Sequence, residues 1–224
     1  MRTNPVLLIP FLAGALSLTA QTQCTTPQGA TDAHGEPVAA TANFTVGSGF
    51  ITVTVQNTQA DPRSAGQLLN GVSFTLSSGP AAATLGANSA NIRRVNSGGT
   101  FTDLGPNNTG WALDNSNGNF FLCVLCTDLG GAGPSHLIIG DPAGSGTYAS
   151  ANRSIAGNGP HNPFDAGVAT FLINVPGLSS SATVTDATFF FSTAGPTNTP
   201  TGPTGGVSSR GTCQASGGGV SPGD

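Results

Sequence analysis

Four cysteines, Cys24, Cys123, Cys126 and Cys213, offer this sequence its widest choice of chemistry. Cys123-Val124-Leu125-Cys126 has the spacing of a thioredoxin-like redox pair. That chemistry needs its first thiolate at a helix N-terminus within a βαβ unit. Here a strand pattern precedes the pair, and the loop-forming Thr127-Asp128-Leu129-Gly130-Gly131 follows it. A zinc site would need four ligands, so Cys24, Cys213 or His136 would have to complete it. The remaining reading is structural: an even number of cysteines in an exported chain forms disulfides. Four cysteines allow three connectivities. The favoured one joins Cys123 to Cys126 and Cys24 to Cys213. Residues three apart on an extended strand lie about 10 Å apart at Cα, whereas a disulfide needs less than about 7 Å. The first bond therefore requires the chain to turn between Cys123 and Cys126. The second would tie the C-terminal region to the N-terminal segment.

Other candidate groups are more scattered. His161 lies in Gly157-Asn158-Gly159-Pro160-His161-Asn162-Pro163-Phe164, the most distinctive polar cluster. It is a candidate ligand-loop residue for a metal or a sugar. Two prolines fix φ, two glycines permit bends, and Phe164 is placed to anchor the loop. Trp111 is the second candidate ligand residue, because exposed aromatics on β-sandwiches stack against sugars. Ser135-His136, with Asp128 or Asp141 nearby, has the residue types of a hydrolytic triad. It lacks a nucleophile elbow, and adjacent residues on a strand point to opposite faces. Asp114 to Asn119 has the composition of a calcium loop. Its glycine stands fifth rather than sixth, and no glutamate stands twelfth, so a hairpin turn is expected. Six aspartates lie between Asp103 and Asp186, which leaves room for a pair of carboxylates of the kind that cleaves glycosides. No catalytic, cofactor-binding or metal-binding residue is assigned.

Composition removes several classes. The chain has no lysine, which excludes a Walker-type phosphate loop and Schiff-base catalysis by lysine. Six arginines, scattered singly or as the pair Arg93-Arg94, stand against ten acidic residues and give no nucleic-acid footprint. At the N-terminus, Arg2 precedes an apolar run from Val6 to Leu18, and Leu18-Thr19-Ala20 then gives way to polar Gln21. Charge, apolar stretch and small-residue site in that order predict a secretory signal over residues 1–20. The run is shorter than the roughly 20 residues of a spanning helix. Bulky Gln21-Thr22-Gln23 before Cys24 argues against lipidation there. The expectation is a secreted or periplasmic protein with no membrane span after the signal is removed.

The elements that must position these groups are short strands. With 33 glycines and 16 prolines, long helices are disfavoured. Residues 21–37 read as an irregular N-terminal segment. Period-2 alternation then marks Val38 to Val46, and Ile51, Val53 and Val55 follow the Gly47-Ser48-Gly49 turn, which predicts a hairpin. Further strands are expected at Leu68 to Leu76, Asn91 to Val95, Trp111 to Leu113, Asn119 to Leu125, Leu137 to Ile139, Gly167 to Val175 and Ala182 to Phe191. Phe189, Phe190 and Phe191 imply burial on both sides of the last strand. Tyr148 to Ile155 suits one or two helical turns. Residues 194–224, rich in Gly, Pro, Thr and Ser, are expected to form a flexible tail. The fold expected for residues 38–193 is all-β, an antiparallel β-sandwich, with jelly-roll and immunoglobulin-like orders both open.

Three strings, CVLCTDLGGAGPSHLIIG, YASANRSIAGNGPHNPF and GVATFLINVPGLSSSATVTDATFFF, follow one another in this order. Through them the stretch from Ala39 to Ser192 resembles bacterial exported proteins of the PEP-CTERM-associated type. The resemblance implies an extracytoplasmic bacterial protein linked to the surface or to extracellular polymer. It supplies no reaction and no catalytic residue. Thr197 to Asp224 contains no Pro-Glu-Pro string, apolar helix or basic cluster, so release or retention through a partner is the expectation. The sequence is therefore read as a secreted, non-enzymatic protein of the cell envelope or extracellular matrix, with extracellular polysaccharide or envelope proteins as partners. A carbohydrate-binding module and a secreted Asp-dependent hydrolase are the alternatives.

Overall fold

The computed structural model describes residues 19–78, 82–115, 119–144, 146–193 and 207–215. The expected signal therefore falls almost entirely outside the described residues, as does most of the expected tail. Among the described residues thirteen strands form one hydrogen-bonded network. They are β1 (Ala20–Thr25), β2 (Ala40–Gly47), β3 (Phe50–Asn57), β4 (Leu69–Leu76), β5 (Thr84–Val95), β6 (Phe101–Asn107) and β7 (Ala112–Asp114). There follow β8 (Phe120–Cys123), β9 (Ile138–Ile139), β10 (Phe164–Asn174), β11 (Val184–Phe191), β12 (Val207–Arg210) and β13 (Thr212–Ala215).

The network folds into two layers. One runs β6-β5-β10-β3-β2-β1 and the other β7-β8-β4-β11-β12. All pairings are antiparallel except β9 with β10. The all-β sandwich is thus as the alternation predicts. Its first three strands are consecutive neighbours in one sheet, whereas the immunoglobulin order crosses to the second sheet at its third strand.

Alternation builds the core. On β3, Ile51, Val53 and Val55 are fully buried while Thr52, Thr54 and Gln56 face outward. Phe44 of β2 meets Phe74 of β4 across the layers, with ring centroids 4.8 Å apart, and Phe74 stacks on Phe120 at 4.9 Å. Phe189, Phe190 and Phe191 are all buried, as their run implies. Phe189 and Phe191 enter this core, while Phe190 meets Phe121 edge-to-face at 5.1 Å.

Two devices join the layers. At one corner Ile138 of β9 pairs with Leu69 of β4 and with Asp165 of β10. At the other, β12 pairs with β11, the chain passes Gly211, and β13 pairs with β1. Gly211 donates its N–H to the Ala187 carbonyl (2.7 Å), and a Cβ there would stand 2.9 Å from the Phe189 ring.

This arrangement corrects two sequence boundaries. The segment 21–37 is not irregular throughout: β1 pairs with β2 from Ala20 to Thr25. The tail is ordered over 207–215, where it forms β12 and β13, and the rest of 194–224 lies outside the described residues. Tyr148 to Ile155 also departs from expectation, forming turns rather than helix, with both named side chains buried.

Both favoured cysteine pairs are present. Cys24 joins Cys213 directly across β1 and β13, at a Cα separation of 4.0 Å. Cys123 joins Cys126 at 5.6 Å, where the chain leaves β8 and bends into a short 3-10 turn, Thr127–Leu129. This second bond packs with Ala112 and Phe121 in a small cluster separate from the main core.

Candidate functional site

The described residues line a half-open pocket of about 410 Å³, of mixed polar and apolar lining, at one end of the sandwich. Its wall comes from five segments that are separate in sequence. The 32–36 turn supplies Asp32, His34 and Glu36, the approach to β4 supplies Ser64 and Gly66, and the loop before β10 supplies Ser154 and His161. The ends of β11 and β12 complete it.

Each segment is braced by local hydrogen bonds. Asp32 Oδ1 accepts from the backbone N–H groups of His34 and Glu36, both at 2.8 Å. A Thr31 to Pro37 bridge closes this turn. Ser64 caps a short 3-10 turn, Ala65–Gln67, accepting from Gly66 N at 3.2 Å, while its own hydroxyl donates to Glu36 Oε2 at 2.5 Å. Gln67 completes a capping box by accepting from Arg63 N and Ser64 N, and donates to the Pro37 carbonyl. The turn and the cap therefore hold each other. Ser64→Ala removes both contacts and is expected to lower stability by about 1 kcal/mol, read as a fall of roughly 2–4 °C in Tm by calorimetry.

His161 lies in the loop that precedes β10. Its Nδ1 lies 2.6 Å from the Ser154 carbonyl. A carbonyl only accepts, so Nδ1 carries the proton in this contact. Asn162 braces the next position through Val95 N (2.8 Å) and the Asn158 carbonyl (2.8 Å), and Phe164 is fully buried. Asp32 is 6 % exposed, and its Oδ2 has no hydrogen-bond partner among the described residues. That oxygen lies over Gly66, where a Cβ would run into it. The cavity thus brings together acceptor oxygens and imidazoles. Among the described residues no group of three or more His, Cys, Asp or Glu side chains is arranged to hold a metal ion.

Trp111 does not belong to this cavity. It is 4 % exposed, its indole N–H donates to the His136 carbonyl (2.9 Å), and its ring lies 5.3 Å from Phe171. It is a core residue and offers no sugar platform. The four cysteines are bonded in pairs, so none is a free ligand or nucleophile.

His136 has a carboxylate partner that the sequence did not indicate. Its Nδ1 lies 3.0 Å from Oδ1 of Asp165. The corner strand β9 makes the meeting, because His136 N–H donates to the Pro163 carbonyl and Ile138 pairs with Asp165. Asp165 has no exposed surface, and its Oδ2 is unpartnered among the described residues. Burial pushes its carboxyl up to about 7, and the His136 hydrogen bond offsets only part of that rise. Ser135 directs its hydroxyl to the Ala132 carbonyl at 3.4 Å.

Asp141 joins a cluster around Arg93. Arg93 binds Asp103 through two nitrogens (2.6 and 3.0 Å) and Tyr148 Oη (3.0 Å), and lies 3.4 Å from Asp141. Its guanidinium stands 4.0 Å from the centroid of the Phe101 ring. Burial raises the Tyr148 hydroxyl to about 12, against the lowering effect of Arg93. A bidentate ion pair, a phenol and an aromatic ring all centred on one arginine pin β5, β6 and the 148 loop together.

No family model, curated protein or solved structure matches the chain.

Proposed function

We propose that this chain works outside the cytoplasm as a non-enzymatic protein of the cell envelope or extracellular matrix. The observation that carries this reading is the use of all four cysteines in disulfides. Such bonds form and persist in oxidising compartments and are rare where glutathione keeps thiols reduced. The Cys24–Cys213 bond fastens the strand that closes the sandwich, so the fold depends on that compartment. The signal-like N-terminus and the resemblance to exported bacterial proteins support the same location.

The test is fractionation of cells producing the full chain, followed by thiol alkylation under denaturing conditions. The protein is expected in the periplasm, at the surface or in the medium, with no reactive thiol. Recovery from the cytoplasm with four alkylated cysteines overturns the reading. An Asp-dependent hydrolase draws on the shared cavity of Asp32, Glu36 and His161. Turnover of glycosides or esters that disappears in Asp32→Asn or Glu36→Gln would establish that alternative in its place.

A further inference from the structure

On β1, β2, β3 and β10 the outward face of the larger sheet carries mostly uncharged hydrogen-bonding groups, and exposed Arg94 and Asp103 stand at its β5–β6 margin. The pairing registers place Gln23, Asn43, Thr54, Thr170 and Ser89 side by side on β1, β2, β3, β10 and β5. One step along the strands lie Thr25, Thr41, Gln56 and the exposed Val168, and one step the other way lie Gln21, Thr45, Thr52 and Leu172. Neighbouring strands are about 4.8 Å apart and same-face residues about 6.7 Å apart, so hydroxyls and amides recur on a two-dimensional grid. None of the outward positions of β1, β2, β3 and β10 carries a charge. Part of the grid is already ordered: Gln23 Nε2 donates to Asn43 Oδ1 at 2.9 Å.

A second observation distinguishes this face. Phe50, 36 % exposed, is at the end of the grid opposite Gly47 and Asn174. Its ring lies flat over Gly47, where a Cβ would run into it. An exposed aromatic face beside a field of hydroxyl and amide groups matches the two sides of a sugar ring, C–H bonds on the faces and hydroxyls on the rim. The absence of charge suits a neutral polymer and gives nothing to an anionic one.

We propose that this face binds extended chains of a neutral polysaccharide, with Phe50 stacking on one sugar and the Thr, Asn and Gln rows hydrogen-bonding along the polymer. The proposal rests on the extracytoplasmic reading only for where the polymer is met; binding itself is a property of the purified protein.

The experiment is co-sedimentation of the oxidised chain with insoluble cellulose and curdlan as neutral glucans, and with calcium alginate as an anionic polymer. Retention is expected on at least one neutral glucan, unchanged from about 0.05 to about 0.5 M NaCl, because no ion pair is involved. Phe50→Ala and Thr54→Arg are each expected to weaken it by about tenfold. Phe50 is exposed and Thr54 points outward from β3, and a far-UV circular dichroism spectrum matching the wild type is required of each variant before its retention is read. Thr185→Arg, an exposed position on β11 in the other layer, is expected to leave retention unchanged. Absence of retention on both glucans overturns the proposal. So does retention that survives Phe50→Ala and Thr54→Arg together, or binding to alginate alone that salt abolishes. A cytoplasmic location would remove the envelope reading without altering any of these results.

Discussion

Replacing Cys24 and Cys213 together with serine is expected to lower the free energy of unfolding by about 5 kcal/mol. In a chain of this size that corresponds to a fall of roughly 10–20 °C in Tm. The bonded residues are 189 apart in sequence. Chain entropy then assigns the bond nearly the largest effect a single cross-link can have, through restriction of the unfolded chain. The native side supports a large effect, because both cysteines lie in paired strands. Cys24 is fully buried within the main core. Losing the bond also frees β13, whose side chains are mostly exposed and hold little apolar surface against the sheet. Its departure would leave β1 as an unpaired edge. The matching control is Cys123→Ser with Cys126→Ser. That bond spans a separation of only 3, and the same relation gives about 2 kcal/mol. Urea unfolding of both double variants measures the two costs. Equal costs would show that loop length does not govern them.

The parts of the fold that the sequence announced are those where burial repeats locally. Phe44 and Val46 of β2, and Ile51, Val53 and Val55 of β3, repeat with period 2 on either side of a glycine turn, so the hairpin is legible from a dozen residues. β12 and β13 carry no such pattern. Val207 to Ala215 buries no face, and it becomes a strand because β11 and β1 each offer an open edge and Cys213 is bonded to Cys24. Strand formation of that kind is a tertiary property. β6 was hidden for a related reason: Gly105 and Pro106 break its pattern, and an edge position tolerates both.

The cavity follows the same division. His161 stands out because prolines and glycines mark its loop, whereas Asp32, His34 and Glu36 lie in a stretch without strand or helix periodicity. Three titratable groups within five residues, in a chain with only 7 % charged residues, were the available signal. The partner of His136 had no local signal beyond Asp165 itself, a lone acid at the start of an apolar strand. Only the parallel β9–β10 pairing brings it within reach.

Asp165 gives the second large effect, a pH dependence that Asp165→Asn removes. Below the ordinary carboxyl value of 3.8 the group is neutral in the folded and unfolded chains alike, and its titration costs nothing. As pH rises, the unfolded carboxyl ionises freely, while the folded one keeps its proton until about 7. The folded state then binds the extra proton, and stability falls with rising pH across that window. Above about 7 both forms are ionised and the loss is complete. A displacement of this size corresponds to about 4 kcal/mol. The physical source is the enclosure of the carboxylate: one oxygen meets only His136, and the other has no donor among the described residues. An asparagine keeps the shape and an acceptor for His136 without the charge. Relative to the wild type, Asp165→Asn is therefore expected to gain about 4 kcal/mol between pH about 3.5 and pH about 8. Urea unfolding of both proteins at the two ends of that range gives the comparison directly. A gap between them that stays constant with pH would mean that the carboxylate is paired and solvated well enough to ionise normally, and that the corner formed by β9 and β10 is more open than its geometry indicates.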